Sequence, residues 1–172
     1  MSAVKGGVQV LFGETPDDVA SLMSRLDRVV ASNFPRNRFV TLFFGLLDPS
    51  TGELIYCNAG HNPPFLVRAD NSIERLTSCG TILGIFPEMG YEVKRAHLDR
   101  GDVLTLYSDG VTEENNPSGE EFGEERLAKL LLKQGREGAA NLVEGIRKAV
   151  LAWAAGAAAA DDVTVVVASR AP

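Results

Sequence analysis

Residues 38–60, RFVTLFFGLLDPSTGELIYCNAG, decide the fold class. Two runs rich in Phe, Leu, Val, Ile and Tyr flank Asp48-Pro49-Ser50-Thr51-Gly52, where proline and glycine supply turn dihedrals, so the stretch reads as a β-hairpin. Working downstream, FLVRADNSIERL (65–76) gives a second strand pair around Asp70-Asn71. YEVKRAHL (91–98) and DVLTLYS (102–108), separated by Asp99-Arg100-Gly101, give a third. Upstream the period lengthens. TPDDVASLMSRLDRVVASN (15–33) places Val19, Leu22, Met23, Leu26, Val29 and Val30 three and four apart, which predicts an amphipathic helix. Thr15 suits its N-cap, Pro16 its first position, and Asp17 and Asp18 the positive end of its dipole.

Beyond an acidic loop, GEERLAKLLLKQG (123–135) and AANLVEGIRKAVLAWAA (139–155) predict two further helices, the second with Leu142, Val143, Ile146, Val150 and Trp153 on one side. ADDVTVVVAS (160–169) then reads as a buried closing strand. Helices flanking antiparallel strands make the class α+β, and residues 1–172 contain no repeat or linker that would divide them, so a single domain is expected.

The composition excludes several roles. At 172 residues the chain can bury a substantial core, and 45% hydrophobic with 23% charged residues is ordinary for a globular protein. A net charge of -6 with no basic stripe argues against a nucleic-acid partner. No apolar run has the length of a membrane span and MSAVKGG is no secretory signal, so neither membrane insertion nor secretion is expected. Cys57 and Cys79 lie in unrelated contexts and read as buried free thiols, consistent with a reducing cytoplasm.

The chemistry-bearing residues are carboxylates at strand ends. Ser108-Asp109-Gly110 closes one apolar run and Asp161-Asp162 opens the last. If those strands are neighbours, Asp109 and Asp161 converge, and carboxylate oxygens so placed suit a hard divalent cation such as Mg²⁺ or Mn²⁺. Taken singly, Asp-Gly is a common turn dipeptide.

FVTLFFGLLDPSTGELIYCNAGHNPPFLV (39–67), GDVLTLYSDGVTEENNPSGEEFGEERL (101–127) and DDVTVVVAS (161–169) together resemble, in order and spacing, the bacterial serine phosphatases related to stage II sporulation protein E, within the PPM superfamily of metal-dependent protein phosphatases. The resemblance implies a layered fold of antiparallel sheets flanked by helices. It also implies hydrolysis of phosphoserine or phosphothreonine on a regulatory protein, such as an anti-sigma-factor antagonist. Two Mn²⁺ or Mg²⁺ ions would activate the attacking water, without a side-chain nucleophile. It makes Asp109 and Asp161 metal ligands, with Gly110 and Asp162 as site neighbours.

The family's GGDYYD-like and GDVSGKG-like segments, which carry further metal-binding aspartates, have no counterpart before the first helix. The chain is therefore expected to lack its first strands, to supply ligands mainly for one ion, and to expose a sheet edge. Met1 reads as an internal methionine of a longer protein, and the resemblance implies a sensor or receiver domain upstream. A second reading follows: a non-catalytic regulatory or binding module that keeps the fold. The 15–33 helix is first a packing element, and the resemblance adds a homodimer to the partner expectations. His61 reads as a turn residue and His97 as a partly exposed one. The glutamates of 113–125 read as a solvated loop and a favourable helix start, and Gly80-Thr81-Ile82-Leu83-Gly84 as a loop between strands.

Overall fold

The computed structural model describes residue 8 and residues 18–35, 38–86, 89–156 and 161–170. They fall into two compact units: residues 1–61 with 77–97, and residues 62–76 with 98–172.

In the first unit, helix α1 (Val19–Asn33) starts later than its sequence suggests. Asp18 caps it by accepting the Ser21 N–H at 2.9 Å, while Thr15, Pro16 and Asp17 lie outside the described residues. A short acceptor one residue before the first apolar position satisfies an otherwise orphaned N–H. The apolar stripe is buried as expected at Val19, Leu22, Met23, Leu26 and Val30. Asp27 sits within it, fully buried, a position the helical pattern assigns to no role. Its carboxylate accepts the Gly84 N–H at 2.6 Å and the Tyr91 hydroxyl at 3.0 Å, tying the 80–91 segment to the helix. Burial, then the neighbouring Asp27 charge, raises the Tyr91 pKa.

Strands β1 (Leu42–Leu47) and β2 (Glu53–Ala59) form the first hairpin. Its turn is held by Asp48 Oδ1, which accepts the N–H groups of Ser50 and Thr51, and by Gly52 at φ +89°. The third strand of this sheet is β5 (Lys94–His97), paired to β2 with Glu53 opposite His97. Cys57 and Cys79, distant in sequence, are neighbours here. Both are buried, Cys79 Sγ accepts the Asn58 N–H at 3.4 Å, and burial followed by proximity to Cys79 pushes the Cys57 thiol up to about 12. A thiol so raised is an inert packing group.

Asp27→Ala orphans the buried Tyr91 hydroxyl and the part-buried Gly84 N–H and opens a cavity. It is expected to destabilise the first unit by about 2–4 kcal/mol, measured by hydrogen exchange at α1 and β2 amides. A loss below about 1 kcal/mol would show that water replaces the carboxylate.

The second unit holds a four-stranded sheet, ordered β4-β3-β6-β7, of β3 (Phe65–Val67), β4 (Ile73–Arg75), β6 (Val103–Tyr107) and β7 (Val165–Ser169). The β3–β4 hairpin matches its sequence signal, with Asn71 at φ +66° in the turn. The third hairpin does not form. Although Asp102 N donates to Asp99 O across a local reversal, β5 pairs with β2 while β6 pairs with β3 and β7. Turn residues set a local bend, but burial of each strand's faces selects its partner.

Helix α2 (Asp109–Thr112) follows β6 directly, so the segment after Tyr107 opens as a helical turn rather than a loop. Helices α3 (Gly123–Gln134) and α4 (Ala139–Ala154) follow, joined through a 3₁₀ turn at Gly135–Glu137. Leu127, Leu131, Leu142, Ile146 and Val150 pack with Phe65, Val67, Val103 and Tyr107 into one core. Trp153 meets Phe122 edge-on, donates its indole N–H to Glu120 O, and carries the Arg126 guanidinium over its ring at 4.1 Å.

Two more expectations fail here. Among the described residues β7 is an edge strand, and Val166 is 54% exposed rather than buried, because valines alternate across an antiparallel edge as readily as they fill a core. The acidic segment is only partly solvated: Glu114 is buried, Glu124 pairs with Arg75 and accepts the Tyr107 hydroxyl, and Glu120 pairs with Arg126. Among the described residues no helix is long and apolar enough to cross a membrane.

Candidate functional site

The antiparallel ladder of β6 on β7 runs from Val103 opposite Ser169 to Tyr107 opposite Val165. It continues one step further, since Ser108 N donates to Thr164 O at 3.0 Å. The Ser108 hydroxyl closes this end. It donates to Asp162 O at 3.0 Å and accepts the Thr164 N–H at 2.9 Å, clasping the segment that enters β7. The two aspartate clusters thus meet at one end of the sheet through backbone and hydroxyl contacts.

Gly110 makes the approach possible. A Cβ there would stand 2.6 Å from Asp162 O, 3.0 Å from its carbonyl carbon and 3.4 Å from the Asp161 carbonyl carbon. The obstacle is backbone, which cannot swing aside as a side-chain tip can. Gly110→Ala is expected to push the 161–162 segment off the turn, destabilising by about 1–3 kcal/mol. Thermal melting followed by Trp153 fluorescence, with amide shifts at 161–164, measures this; an unshifted 161–164 segment would show that the contact is not required.

Asp109, the first residue of α2, is exposed, as are Asp161 and Asp162. Asp109 Oδ1 accepts the Gly110 N–H at 3.0 Å, and Asp161 Oδ1 accepts the Asp162 N–H at 2.7 Å. Each carboxylate is thereby oriented by the next residue's backbone. Two hard oxygen donors in water-accessible positions match the chemistry of Mg²⁺ or Mn²⁺, which keep several waters. Among the described residues no group of three or more His, Cys, Asp or Glu side chains is arranged to hold a metal ion.

His61 belongs to the first unit, where its N–H donates to Asn58 Oδ1 at 2.9 Å and its Nδ1 lies 3.4 Å from the Thr41 hydroxyl; His97 is exposed on β5. Sequence reasoning passed over Ser108, whose role as a clasp has no signal in its residue type. Only the position before Asp109 pointed to it.

The family model for stage II sporulation protein E matches residues 1–171. Protein IcfG of Synechocystis sp. is 33% identical over 132 residues, 77% of this chain and 21% of that protein. Phosphoserine phosphatase RsbU of Bacillus subtilis is 34% identical over 114 residues, 66% of this chain and 34% of its own length. The chain thus spans about a fifth and a third of these two relatives. Among solved structures, the SiaA-PP2C domain of Pseudomonas aeruginosa matches with a TM-score of 0.84 at 15% identity, covering 96% of this chain and 67% of that one. The Mn-presoaked phosphatase domain of SpoIIE from Bacillus subtilis matches with a TM-score of 0.66 at 17% identity, covering 99% and 74%. These likenesses establish an α+β fold of the PP2C type.

Proposed function

The chain belongs to the stage II sporulation protein E family, and we propose that it forms a protein serine/threonine phosphatase domain with a divalent cation, Mn²⁺ or Mg²⁺, on Asp109 and Asp161. The substrate is a phosphoserine or phosphothreonine of a cytoplasmic regulatory protein, of the anti-sigma-factor antagonist class. The observation that carries the reading is the seating of the Asp161–Asp162 backbone on Gly110, secured by the Ser108 hydroxyl, which gathers both aspartate segments at one sheet end.

A bound divalent cation supplies Lewis acidity, lowering the pKa of a water and offsetting charge on the phosphoryl oxygens. The chain's own part is to fix the ligands. Asp109 and Asp161 contribute anionic oxygens, each aligned by one backbone N–H, and Ser108 holds the two segments in register. Exposure of both carboxylates leaves room for a phosphoryl group carried by a folded protein.

A second reading, a regulatory module that binds partners without catalysis, is favoured by the lack of a third metal-ligating side chain beside these two among the described residues. Mn²⁺ calorimetry on this chain, with hydrolysis of a phosphoserine protein in the same buffer, tests both. Saturable binding with turnover is expected. Binding without turnover supports the module, and no binding overturns the catalytic proposal for these 172 residues.

A further inference from the structure

Strand β7 ends the sheet of the second unit, and among the described residues no strand lies beyond it. Its inner side is defined by bonds to β6 and its flanks. Ser108 N donates to Thr164 O, Thr164 N donates to the Ser108 hydroxyl, Arg170 N donates to Asp102 O, and Arg170 O accepts the Gly101 N–H. The backbone groups of Thr164 and Arg170 therefore face β6. Alternation along the strand gives Val166 and Ala168 the same orientation and turns the N–H and C=O groups of Val163, Val165, Val167 and Ser169 outward.

An outward row of this kind is a template for a further strand, which proteins blunt with charges, prolines or bulges. The opposite edge, β4, carries Glu74 and Arg75. Residues 163–169, VTVVVAS, contain neither a charge nor a proline, and the pairing with β6 runs without a bulge from Val165 to Ser169. Val163 and Val166 are exposed, and so is Leu151 on α4, the helix packed against β7.

The flanks of the run select its occupant. Asp162 precedes it and Arg170 follows it, equidistant from Val166. An antiparallel copy of the same strand, related by a two-fold axis through Val166, sets Asp162 opposite Arg170 of the second copy at both ends, Val165 opposite Val167, and Val163 opposite Ser169. The backbone allows this register, because outward-facing residues meet only outward-facing ones. Val166 meets its own copy at a position without ladder hydrogen bonds, where facing side chains come closest, so the two exposed valines cover each other. The wider charges agree. The Asp162 end also carries Asp109, Glu113 and Asp161, whereas at the other end Arg68, Arg100, Arg136 and Arg170 stand with Glu74, Asp99, Asp102 and Glu137. An antiparallel copy lays an acidic end beside a balanced one; a parallel copy would oppose two acidic ends. Arg170 keeps its bond to Leu98 O, since the match requires opposite charges at one end of the ladder and no freed donor. We propose that the β7 edge is a self-association surface, on which two copies of this chain pair antiparallel through residues 163–169 and join their four-stranded sheets across a two-fold axis at Val166. The pairing needs no metal, so its test does not depend on the phosphatase reading.

Sedimentation velocity of the chain in buffer containing EDTA, from about 5 to about 500 µM, is expected to show a reversible monomer–dimer equilibrium with a micromolar Kd, in keeping with a contact at the small end of interface sizes. Val166→Lys and Val166→Glu should each weaken self-association at least ~tenfold, because like charges would stand directly opposite each other at the axis. Mixed in equal amounts, the two variants should form a heterodimer within about threefold of wild-type affinity, since lysine then faces glutamate. That rescue requires a register in which position 166 lies opposite itself. Val166 is exposed, so both variants should keep the wild-type Trp153 fluorescence and melting temperature. Should either misfold, Asp162→Lys, at an exposed position, takes its place and should weaken the dimer by opposing Arg170 of the second copy. The proposal is overturned if wild type is monomeric at about 500 µM, which would leave the edge to a strand other than a second copy, if the folded variants dimerise like wild type, or if the mixture associates no better than each variant alone.

Discussion

Asp109→Asn is expected to lower Mn²⁺-dependent hydrolysis of a phosphoserine protein by at least ~100-fold, with Mn²⁺ affinity falling in parallel. The substitution keeps the shape of the side chain and an oxygen that can accept the Gly110 N–H, the 3.0 Å contact that orients it. What it removes is the negative charge, which a hard cation requires and an amide oxygen replaces poorly. Because Asp109 is exposed and opens a short helix, the melting temperature should stay within about 3 °C of wild type. Loss of turnover with an unchanged melt would therefore isolate the ligand role. Unchanged kcat/KM would remove Asp109 from the site and with it the metal assignment.

The largest effect on stability is expected at Asp102, not at the proposed metal ligands. Asp102→Ala strips three donors of their acceptor at once, including the buried end of an ion pair with Arg68, whose side chain is 20% exposed. Removing one partner of such a pair leaves an uncompensated charge and costs about 3–5 kcal/mol, more than the pair itself contributes. Trp153 is the chain's single tryptophan and lies in the same unit, so the urea midpoint by its fluorescence reports the loss. Asp102→Asn should fall between, since one amide oxygen can still accept an N–H. A shift equivalent to less than about 1 kcal/mol for Asp102→Ala would mean that water satisfies these donors.

Asp27 and Asp102 show why so much of the polar framework was unreadable beforehand. Both are aspartates in ordinary surroundings by sequence, one within a helical stripe and one after a glycine turn. Their importance comes from donors far along the chain: Gly84 and Tyr91 for the first, Arg68 and Ala69 for the second. A linear pattern records which residues repeat at 2 or 3.6; it does not record which distant N–H groups will need an acceptor. The same limit explains the cysteines. Cys57 and Cys79 are joined by the Asn58–Cys79 backbone and sulfur contacts, none of which their spacing announces.

What the sequence by itself determined was local and periodic. The three longer helices, the hairpins at 48–52 and 70–71, and the α+β class followed from apolar spacing and turn residues, whose causes act over a few positions. The ordered motifs also pointed to the family to which the chain belongs. Only the tertiary structure decided which strands pair. It sent β5 to β2 and β6 to β7, left β7 at the edge among the described residues, and set the Asp161–Asp162 backbone against Gly110. Strand pairing depends on burying faces and satisfying backbone groups contributed by segments tens of residues apart, and that competition is settled only when the whole chain is packed.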